Sequence, residues 1–544
     1  DRGSIERLRD KSGDTALALQ KDKGGWKVAE SPAPPFAADR DAVDAVLNVV
    51  TSLRAERFAA YGPKADPAKY GLDKPAATVT LSVKAKPAEH TLELGKPVEG
   101  EAGARYARLD KGPGVVVLAA PAVTELTRTY LDFVPRTVLA FDPAAVTSLA
   151  VRKGAETVEV VKRDDGWALT KPADQPGDEQ AMQDVLRQLA GKAKAVAAYP
   201  AKDRTPFGLE SPAAVVMLRL AGAEGKAKDL VLNVGKEADG GRYAQAAGSQ
   251  AVLVLPKPLA EALLAGPLGF RSRTVANFVD ADRAVLERGP RKAVFTKVDG
   301  TWKLTEPLQA EAEHTEMENL INAVARLRAA ALVAEKPTDA QLKTYGLDKP
   351  SEVWHFQEDG KDVLVLQLGR REKNGGRCYA RLEKGDLVFV LDAALAGKLF
   401  AEYRKRDAWN PPLDSAQAER LTYRRGATAF TLEKVGSGWQ LRGKPSAKVN
   451  ADAVSDALAA IAGLKAERFV VDKGADLKLY GLAPAELVIE VQTPTGTKML
   501  HVGRPEGESK RYYARVPAKD QSDVFVIGEA DAARIVRDLP AFVR

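Results

Sequence analysis

The chain opens with short segments in which apolar and polar residues alternate, a pattern that indicates half-buried β-strands. Residues 5–9 and 15–20 alternate in this way, and the polar segment 11–14 between them predicts a turn. Strands joined by short turns pair antiparallel, so these segments predict a sheet in meander order. Further strand segments of the same sheet are predicted at 26–29, 78–83, 91–94, 105–109 and 115–118.

A helix-like pattern interrupts the strands. Val43, Val46, Leu47 and Val50 are spaced as the single apolar face of a helix that lies on a sheet. The same stripe returns as Met182-Val185-Leu186-Leu189, Met317-Leu320-Ile321-Val324 and Val454-Ala457-Leu458-Ile461. The predicted N-caps of three of these helices are Asp39, Asp178 and Asn450.

Four further landmarks recur in the same order, at a spacing near 544/4 = 136 residues. They are a Gly-Trp turn ending at Trp26, Trp167, Trp302 and Trp439; an aromatic-Gly-Leu motif at 70–72, 207–209, 345–347 and 480–482; a Gly-basic pair at 95–96, 235–236, 369–370 and 503–504; and an Arg-Tyr-Ala segment that starts at Arg105, Arg242, Arg377 and Arg511. An arginine marks each joint, at Arg136, Arg273 and Arg406, and Arg544 is expected to match them as the end of a complete last copy.

This periodicity predicts four tandem homologous units, each long enough to be a domain. We expect an α+β fold in which every unit is an antiparallel sheet with a long amphipathic helix packed on one face. The predicted repeats are residues 1–138, 139–275, 276–408 and 409–544.

Two of the repeated motifs have a structural explanation. In the third copy Gly346 suits the left-handed position that ends a helical turn, Leu347 supplies the accompanying apolar contact, and Pro350 prevents continuation. The tryptophan after each Gly turn is interpreted as a core residue. The single cysteine, Cys378, lies in one predicted strand and is interpreted as a small core side chain.

Composition narrows the possible functions. Hydrophobic residues make up 45% of the chain and charged residues 28%, as in globular proteins, and the net charge of +7 is too dilute to predict nucleic-acid binding. One cysteine excludes an internal disulfide and a multi-cysteine metal site. The four histidines stand at unrelated positions of the copies, so we expect no metal, no cofactor and no catalytic activity.

The repeated basic residues are the candidate site. They are expected to meet at one end of each hairpin and to bind an anion or an acidic partner. These residues are Lys96, Arg105, Lys236, Arg242, Arg370, Arg377, Arg504 and Arg511. The alternative is that they neutralise neighbouring acids and shield an edge strand. Local acid pairs at 164–165 and 280/282 are the candidates for carboxylate chemistry.

The motifs resemble the bacterial domain-of-unknown-function family 4340. The resemblance rests on residues 70–75 (Tyr-Gly-Leu-Asp-Lys-Pro), 94–96 (Leu-Gly-Lys) and 105–108 (Arg-Tyr-Ala-Arg), with counterparts in all four copies. It implies an envelope protein with one N-terminal transmembrane helix and a large extracytoplasmic region. It also implies genes beside gliding-type ABC transporters. The family has no established catalytic residues, so it implies none here.

These observations together predict a non-enzymatic scaffold or accessory subunit of an envelope ABC-transporter system. It would lie on the periplasmic or extracytoplasmic face of the bacterial inner membrane. Because the sequence begins at Asp1 rather than Met, an anchoring helix is expected upstream. Its expected partners are the membrane subunits of the transporter. A second hypothesis is direct binding of anionic lipid or envelope glycan through the basic hairpin ends, and a third is a carboxylate-dependent hydrolase.

Overall fold

A computed structural model describes residues 2–62, 65–84, 89–222, 226–373, 376–471, 475–517 and 523–543. The chain divides into two compact units, residues 1–272 and 273–544. Arg544, the predicted match to the joint arginines, lies outside the described residues.

The first unit contains two sheets. The strands and helices of the two repeats follow one another along the chain in the same order. Its strands are β1 (Ile5–Ser12), β2 (Thr15–Asp22), β3 (Gly25–Glu30), β4 (Phe36–Ala37), β5 (Arg57–Tyr61), β6 (Ala77–Val83), β7 (Glu89–Pro97), β8 (Arg105–Leu109), β9 (Gly114–Leu118), β10 (Val146–Lys153), β11 (Glu156–Arg163), β12 (Gly166–Lys171), β13 (Gln175–Pro176), β14 (Ala195–Ala198), β15 (Ala214–Leu220), β16 (Lys228–Ala238), β17 (Gly241–Ala246) and β18 (Val252–Pro256). Its α-helices are α1 (Arg40–Thr51), α2 (Ala120–Leu126), α3 (Glu179–Leu189), α4 (Lys257–Leu264) and α5 (Pro267–Phe270). Short 3₁₀ helices cover Arg2–Ser4, Pro67–Tyr70, Tyr130–Phe133, Pro143–Ala145 and Thr205–Phe207.

The second unit repeats this succession twice more. Its strands are β19 (Arg283–Arg288), β20 (Arg291–Val298), β21 (Thr301–Glu306), β22 (Ala310–Glu311), β23 (Ala331–Glu335), β24 (Glu352–Glu358), β25 (Lys361–Arg371), β26 (Cys378–Leu382), β27 (Leu387–Leu391), β28 (Arg420–Arg425), β29 (Thr428–Val435), β30 (Gly438–Leu441), β31 (Arg468–Val471), β32 (Leu487–Thr493), β33 (Gly496–Pro505), β34 (Tyr512–Arg515) and β35 (Val524–Ile527). Its α-helices are α6 (His314–Ala325), α7 (Asp339–Tyr345), α8 (Ala393–Leu399), α9 (Ala451–Ala462) and α10 (Glu529–Ile535). Short 3₁₀ helices cover Ser415–Gln417, Leu477–Tyr480 and Leu539–Ala541.

Every sheet is antiparallel and has the same topology. In the first repeat the strand order is β4-β3-β2-β1-β6-β7-β8-β9-β5, so two meanders meet at β1 and β6. The second and third sheets repeat this nine-stranded order, and the fourth has eight strands among the described residues. Strand β5 follows α1 in the chain but pairs with β9 at the far edge, so α1 connects the two edges of its sheet. The boundaries predicted between the four repeats stay predictions.

The apolar stripe of each helix packs on its sheet, as the spacing predicts. Val43, Val46 and Leu47 of α1 are buried with sheet residues in one core, and the stripes of α3, α6 and α9 are buried likewise. The side chains of the predicted caps Asp39, Asp178 and Asn450 accept hydrogen bonds from the backbone three residues on. These helices have only 11 or 12 residues, however, and the strands dominate each repeat. The expectation of an α+β fold with long helices is therefore corrected to a mostly β fold with short helices.

The predicted core residues lie where the pattern placed them. Trp167 and Trp302 are 7% and 1% exposed, and Trp26 and Trp439 are half-buried against the cores of their repeats. Cys378 is fully buried, and burial raises the pKa of its thiol to about 11. Cys378 is therefore a core side chain, as predicted. A buried thiol with a raised pKa is also a poor nucleophile.

Each repeat closes on its own helix. The Asp39 N–H at the start of α1 donates to the carbonyl of Phe133, near the end of the same repeat, at 2.7 Å. The corresponding bonds run from Asp178 to Phe270, from Glu313 to Tyr403 and from Asn450 to Phe542. The joint that follows each repeat therefore starts from a fixed position beside the N-terminus of its helix.

Candidate functional site

The Gly-basic pair forms a β-bulge in every repeat. The pairing of β7 with β8 is regular up to Leu94 and resumes at Pro97, so the two residues Gly95 and Lys96 lie opposite the single residue Tyr106. The same shift occurs after Val234, Leu368 and Val502 in the other three sheets. The bulge turns the basic side chain away from the core, and Lys96, Lys236, Arg370 and Arg504 are all exposed.

The aromatic-Gly-Leu motif packs directly on this bulge. Gly71, Gly208, Gly346 and Gly481 have φ between 66° and 69° and end short helical turns, as predicted. A Cβ atom added at the bulge glycine would lie closer than 3.0 Å to the carbonyl oxygen of the aromatic residue in each repeat. The bulge glycine and the helix-ending glycine are therefore both required, because the backbone of the bulge and the backbone of the aromatic-Gly-Leu motif approach each other closely.

The Arg-Tyr-Ala motif completes the same assembly. The ring of Tyr106 packs edge-on against Tyr70, with 4.9 Å between ring centroids. Equivalent ring pairs join Phe207 with Tyr243, Tyr345 with Tyr379, and Tyr480 with Tyr513, at 4.8–5.0 Å. We call the bulge, the helix-ending glycine and this ring pair the motif cluster. Three motifs that are separate in sequence thus recur because they pack on one another.

The eight predicted basic residues divide into two groups. The four bulge residues form no ion pair within the described ranges. The arginines of the neighbouring strand are mostly engaged: Arg105 Nη1 donates to the Gly95 carbonyl at 2.7 Å, and Arg242 Nη1 donates to the Gly235 carbonyl at 2.9 Å. In the first two repeats the strand arginine thus holds the bulge, and in all four repeats the bulge residue is exposed to solvent.

In the third and fourth repeats the strand arginines vary. Arg511 pairs with Glu467 at 2.9 Å, which supports the interpretation that these arginines neutralise neighbouring acids. Arg377 is exposed, and its backbone N–H donates to Glu372. The idea that these residues shield an edge strand is wrong, because β8 and its equivalents β17, β26 and β34 lie between two paired strands.

A second site lies at the joint between the repeats of the first unit. The carbonyl of Arg136 accepts a hydrogen bond from the Ala193 N–H at 2.8 Å. Beside it, Lys192 Nζ lies 2.5 Å from Asp41 Oδ2 and 3.2 Å from Asp39 Oδ2. The pair raises the pKa of Lys192 through its hydrogen bond to Asp41 and lowers the pKa of Asp41 for the same reason. Asp39 thus caps α1 and binds the next repeat with one carboxylate.

Aromatic packing accompanies this joint. The ring of Phe36, on β4 of the first repeat, packs edge-on against Tyr199, which follows β14 of the second repeat, at 4.8 Å. Strand β14 itself contacts the 3₁₀ helix Tyr130–Phe133. The edge strand of the second sheet is therefore covered by the preceding repeat.

The joint within the second unit keeps the backbone bond and changes the side chains. The carbonyl of Arg406 accepts from the Ala466 N–H at 2.7 Å, and Arg273 and Ala329 form the same bond at 2.8 Å. At the joint that contains Arg406, the Arg404 guanidinium lies 2.5 Å from Asp523 Oδ2 and 3.7 Å from the ring centroid of Phe469.

Both charged side chains of this joint are nearly buried, with 8% of Arg404 and 11% of Asp523 exposed. A buried ion pair and a cation–π contact thus stand where the first unit has the partly exposed Lys192 with Asp39 and Asp41.

Sequence reasoning found the joint arginines but missed the side chains that they position. One available signal is a basic-Ala dipeptide that follows each of the helices α1, α3, α6 and α9. It occurs at Arg54-Ala55, Lys192-Ala193, Arg328-Ala329 and Lys465-Ala466. The buried Arg404 and Asp523 carry no repeated signal, because they occur in one joint only.

A cleft of about 700 Å³ opens at the joint of the second unit, beside Trp409 and Phe469. Its acids are held in ion pairs: Glu311 with Lys405 at 2.6 Å, Asp407 with Lys465 at 3.3 Å, and Asp523 with Arg404. Of the acid pairs named for carboxylate chemistry, Asp280 lies 3.8 Å from Lys297, and Asp282 accepts from the backbone of Asp359. Asp280, Asp282 and the three acids of the cleft thus each have a structural partner.

The described ranges contain neither a cluster of metal-ligating side chains nor a helix that could cross a membrane. No group of three or more His, Cys, Asp or Glu side chains there is arranged to hold a metal ion. None of the helices there has the length and hydropathy that a bilayer crossing requires.

Comparison with known proteins identifies the repeated unit. No curated protein matches the chain. A family model described as a domain of unknown function, DUF4340, matches residues 26–197, 167–350, 302–446 and 439–543. These four tandem matches span most of the chain and include the motif cluster of every repeat. The chain therefore belongs to the DUF4340 family and carries four copies of its domain.

Proposed function

We propose that the chain is a non-enzymatic scaffold or accessory subunit of an envelope ABC-transporter system and acts through protein–protein contacts. The observation that carries the proposal is the use of the repeated residues. In each repeat the recurring motifs pack on one another in the motif cluster, and the charged residues at the joints pair with each other. The recurring motifs thus build each repeat, and paired charges connect the repeats, as expected of a protein that presents an extended surface.

The proposed location is the extracytoplasmic face of the bacterial inner membrane, with an anchoring helix upstream of the sequence. The location and the transporter partner rest on the resemblance to the family. The test is capture of the full-length, membrane-tethered protein from its own cells, followed by mass spectrometry of proteins and lipids. We expect recovery of the membrane subunits of a transporter. The proposal would be contradicted if no transporter subunit is recovered and if deletion of the protein changes no property of the transporter.

A second candidate function is direct binding of an anionic lipid or envelope glycan. The observation that favours it is the exposed basic residue that the bulge presents in each repeat, which forms no ion pair with any residue the structure describes. These residues are Lys96, Lys236, Arg370 and Arg504. Contacts between exposed charges weaken with ionic strength, so such binding should decrease steeply as salt is added.

The experiment for this candidate is binding to vesicles with and without anionic lipid, using a variant in which all four bulge residues are replaced by Glu. A matched control replaces four exposed lysines, one per repeat, by Glu and so changes the net charge equally: Lys11, Lys153, Lys292 and Lys444. Loss of binding in the first variant alone would support a site at the bulges. Equal loss in both would indicate a general charge effect and exclude it.

A further inference from the structure

The edge strand of the first sheet exposes residues whose equivalents elsewhere in the chain are covered. Strand β5 pairs with β9 through Arg57–Val117 and Phe58–Val116, and β31 pairs with β35 through Arg468–Val526 and Phe469–Phe525. Phe58 therefore corresponds to Phe469. Strand β14 pairs with β18 with the same register shift as β5 with β9, so Tyr61 corresponds to Tyr199.

The exposure of these equivalent residues differs greatly. Phe469 is 6% exposed beneath Arg404, and Tyr199 packs against Phe36 of the preceding repeat. In contrast, Phe58 is 67% and Tyr61 73% exposed, and their rings contact each other edge-on at 6.0 Å. Two adjacent aromatic rings with such exposure are unusual on a surface without a partner.

The polar part of the joint shows the same difference. The segment before each edge strand is aligned by one backbone bond, from Glu56 to Val117 and from Lys194 to Val254, so Arg54 corresponds to Lys192. Ala193, which follows Lys192, is 4% exposed, whereas Ala55, which follows Arg54, is exposed. Arg54 is also exposed, and no acid pairs with it within the described ranges.

The matching half of this joint is present at the other end of the sequence. Asp41 is two residues after the N-cap Asp39 of α1, and Asp452 is two residues after the N-cap Asn450 of α9. Asp41 receives Lys192, whereas Asp452 is exposed and has no basic partner in the part of the chain that the structure describes. Next to it, the 3₁₀ helix Leu539–Ala541 corresponds to Tyr130–Phe133, the helix that β14 contacts.

We propose that the first repeat of one chain docks on the fourth repeat of a second copy through the same kind of joint that connects repeats within the chain. Arg54 binds Asp452 of the other copy, and Phe58 and Tyr61 pack on the surface around residues 539–541. The occupant is a second copy because the fourth repeat carries the acid and the 3₁₀ helix that this joint requires, both in the positions seen at the first joint. Such a contact joins two different surfaces, so it leads to rings or open chains rather than to a two-fold dimer.

The test is sedimentation velocity of the whole chain over a wide concentration range. We expect association that increases with concentration and a loss of about tenfold or more in the association constant for Arg54→Asp or Asp452→Arg. Mixing these two variants should restore association, because each then supplies the charge that the other lacks. Phe58→Ser should weaken association without unfolding the repeat, since this side chain is largely exposed.

Lys69→Asp, which reverses an exposed charge on the same repeat outside the surface, serves as the control and should associate like the unmodified chain. A chain that stays monomeric at every concentration would overturn the proposal. Variants that associate like the unmodified chain, or a mixture that does not recover, would overturn it as well.

Discussion

The motif cluster and the repeat joints differ in how far they are repeated. The cluster has the same three parts in all four repeats, and its essential contacts are made by backbone atoms and glycines. The joints share one backbone bond, but the first uses Lys192 with two aspartates and the last uses a buried Arg404–Asp523 pair. Contacts that depend on backbone shape tolerate few residue types, whereas an interface between repeats accepts several side-chain solutions. Recurrence in this sequence therefore marks residues that build the interior of a repeat.

The largest expected effect comes from the buried joint of the second unit. Asp523→Asn removes the carboxylate charge that pairs with the nearly buried Arg404 guanidinium, so we expect the free energy of unfolding of this unit to fall by about 3–5 kcal/mol. Hydrogen exchange with mass spectrometry on the full chain can assign the loss to residues 273–544. The double variant Arg404→Met with Asp523→Leu is the control and should be close to neutral, because it removes both charges. An unchanged Asp523→Asn variant would show that the joint does not contribute to stability.

The motif cluster should respond equally in different repeats. Gly95→Ala and Gly503→Ala both place a methyl group against an aromatic-residue carbonyl, so each should cost about 3 kcal/mol through overpacking. Gly397, within α8, has no atom within 4 Å of an added Cβ, and Gly397→Ala should instead stabilise its repeat by about 1 kcal/mol. Thermal unfolding of the three variants tests this expectation. A large difference between the Gly95 and Gly503 variants would contradict the structural equivalence of the repeats.

The sequence predicted the parts of the fold that local patterns determine. The apolar stripes, the helix caps, the left-handed glycines and the burial of Trp167 and Trp302 are confirmed, because each depends on residues close together in the chain. The prediction of a long helix in an α+β unit was wrong, because an apolar stripe indicates which face of a helix is buried but not how long the helix is. The family resemblance is confirmed by the four matches to the DUF4340 model.

The joints could not be predicted in the same way. Lys192 and Asp41 are 151 residues apart in sequence, and nothing local to either residue indicates the other. Arg404 and Asp523 are separated by 119 residues and lack equivalents in the other joint. The division of the basic residues into exposed and engaged groups also depends on the bulge, whose position is set by the pairing of two strands.

One position inside the sheet breaks the similarity of the repeats. Asp10 of β1 stands where the other sheets place Val151, Leu286 and Tyr423, two residues before the end of the equivalent strand. It is 6% exposed, and burial raises its pKa to about 6, partly offset by the hydrogen bond from Ser12.

The pKa of Asp10 is higher in the folded chain than in the unfolded chain. As the pH rises, the Asp10 carboxyl therefore ionises in the unfolded chain before it ionises in the folded chain. The free energy of unfolding should therefore decrease as the pH rises from about 4 to about 6 and then level off. Asp10→Val should remove this slope and stabilise the first unit by about 2 kcal/mol at pH 7. Denaturation measured across this pH range tests the expectation, with Ser12→Ala as a control that keeps the slope. A variant without a stability gain would indicate that water reaches the Asp10 carboxylate.

The smallest effect is expected at the joint of the first unit. Lys192 is 43% exposed, so Lys192→Ala should lower the free energy of unfolding by only about 0.5–1 kcal/mol, and added salt should reduce the difference further. Lys192→Arg keeps the charge and should restore most of the loss. Hydrogen exchange at the start of α1, where Asp39 binds both the helix and the lysine, provides the most direct measurement. A loss as large as that of Asp523→Asn would mean that the two joints are energetically equal despite their different side chains.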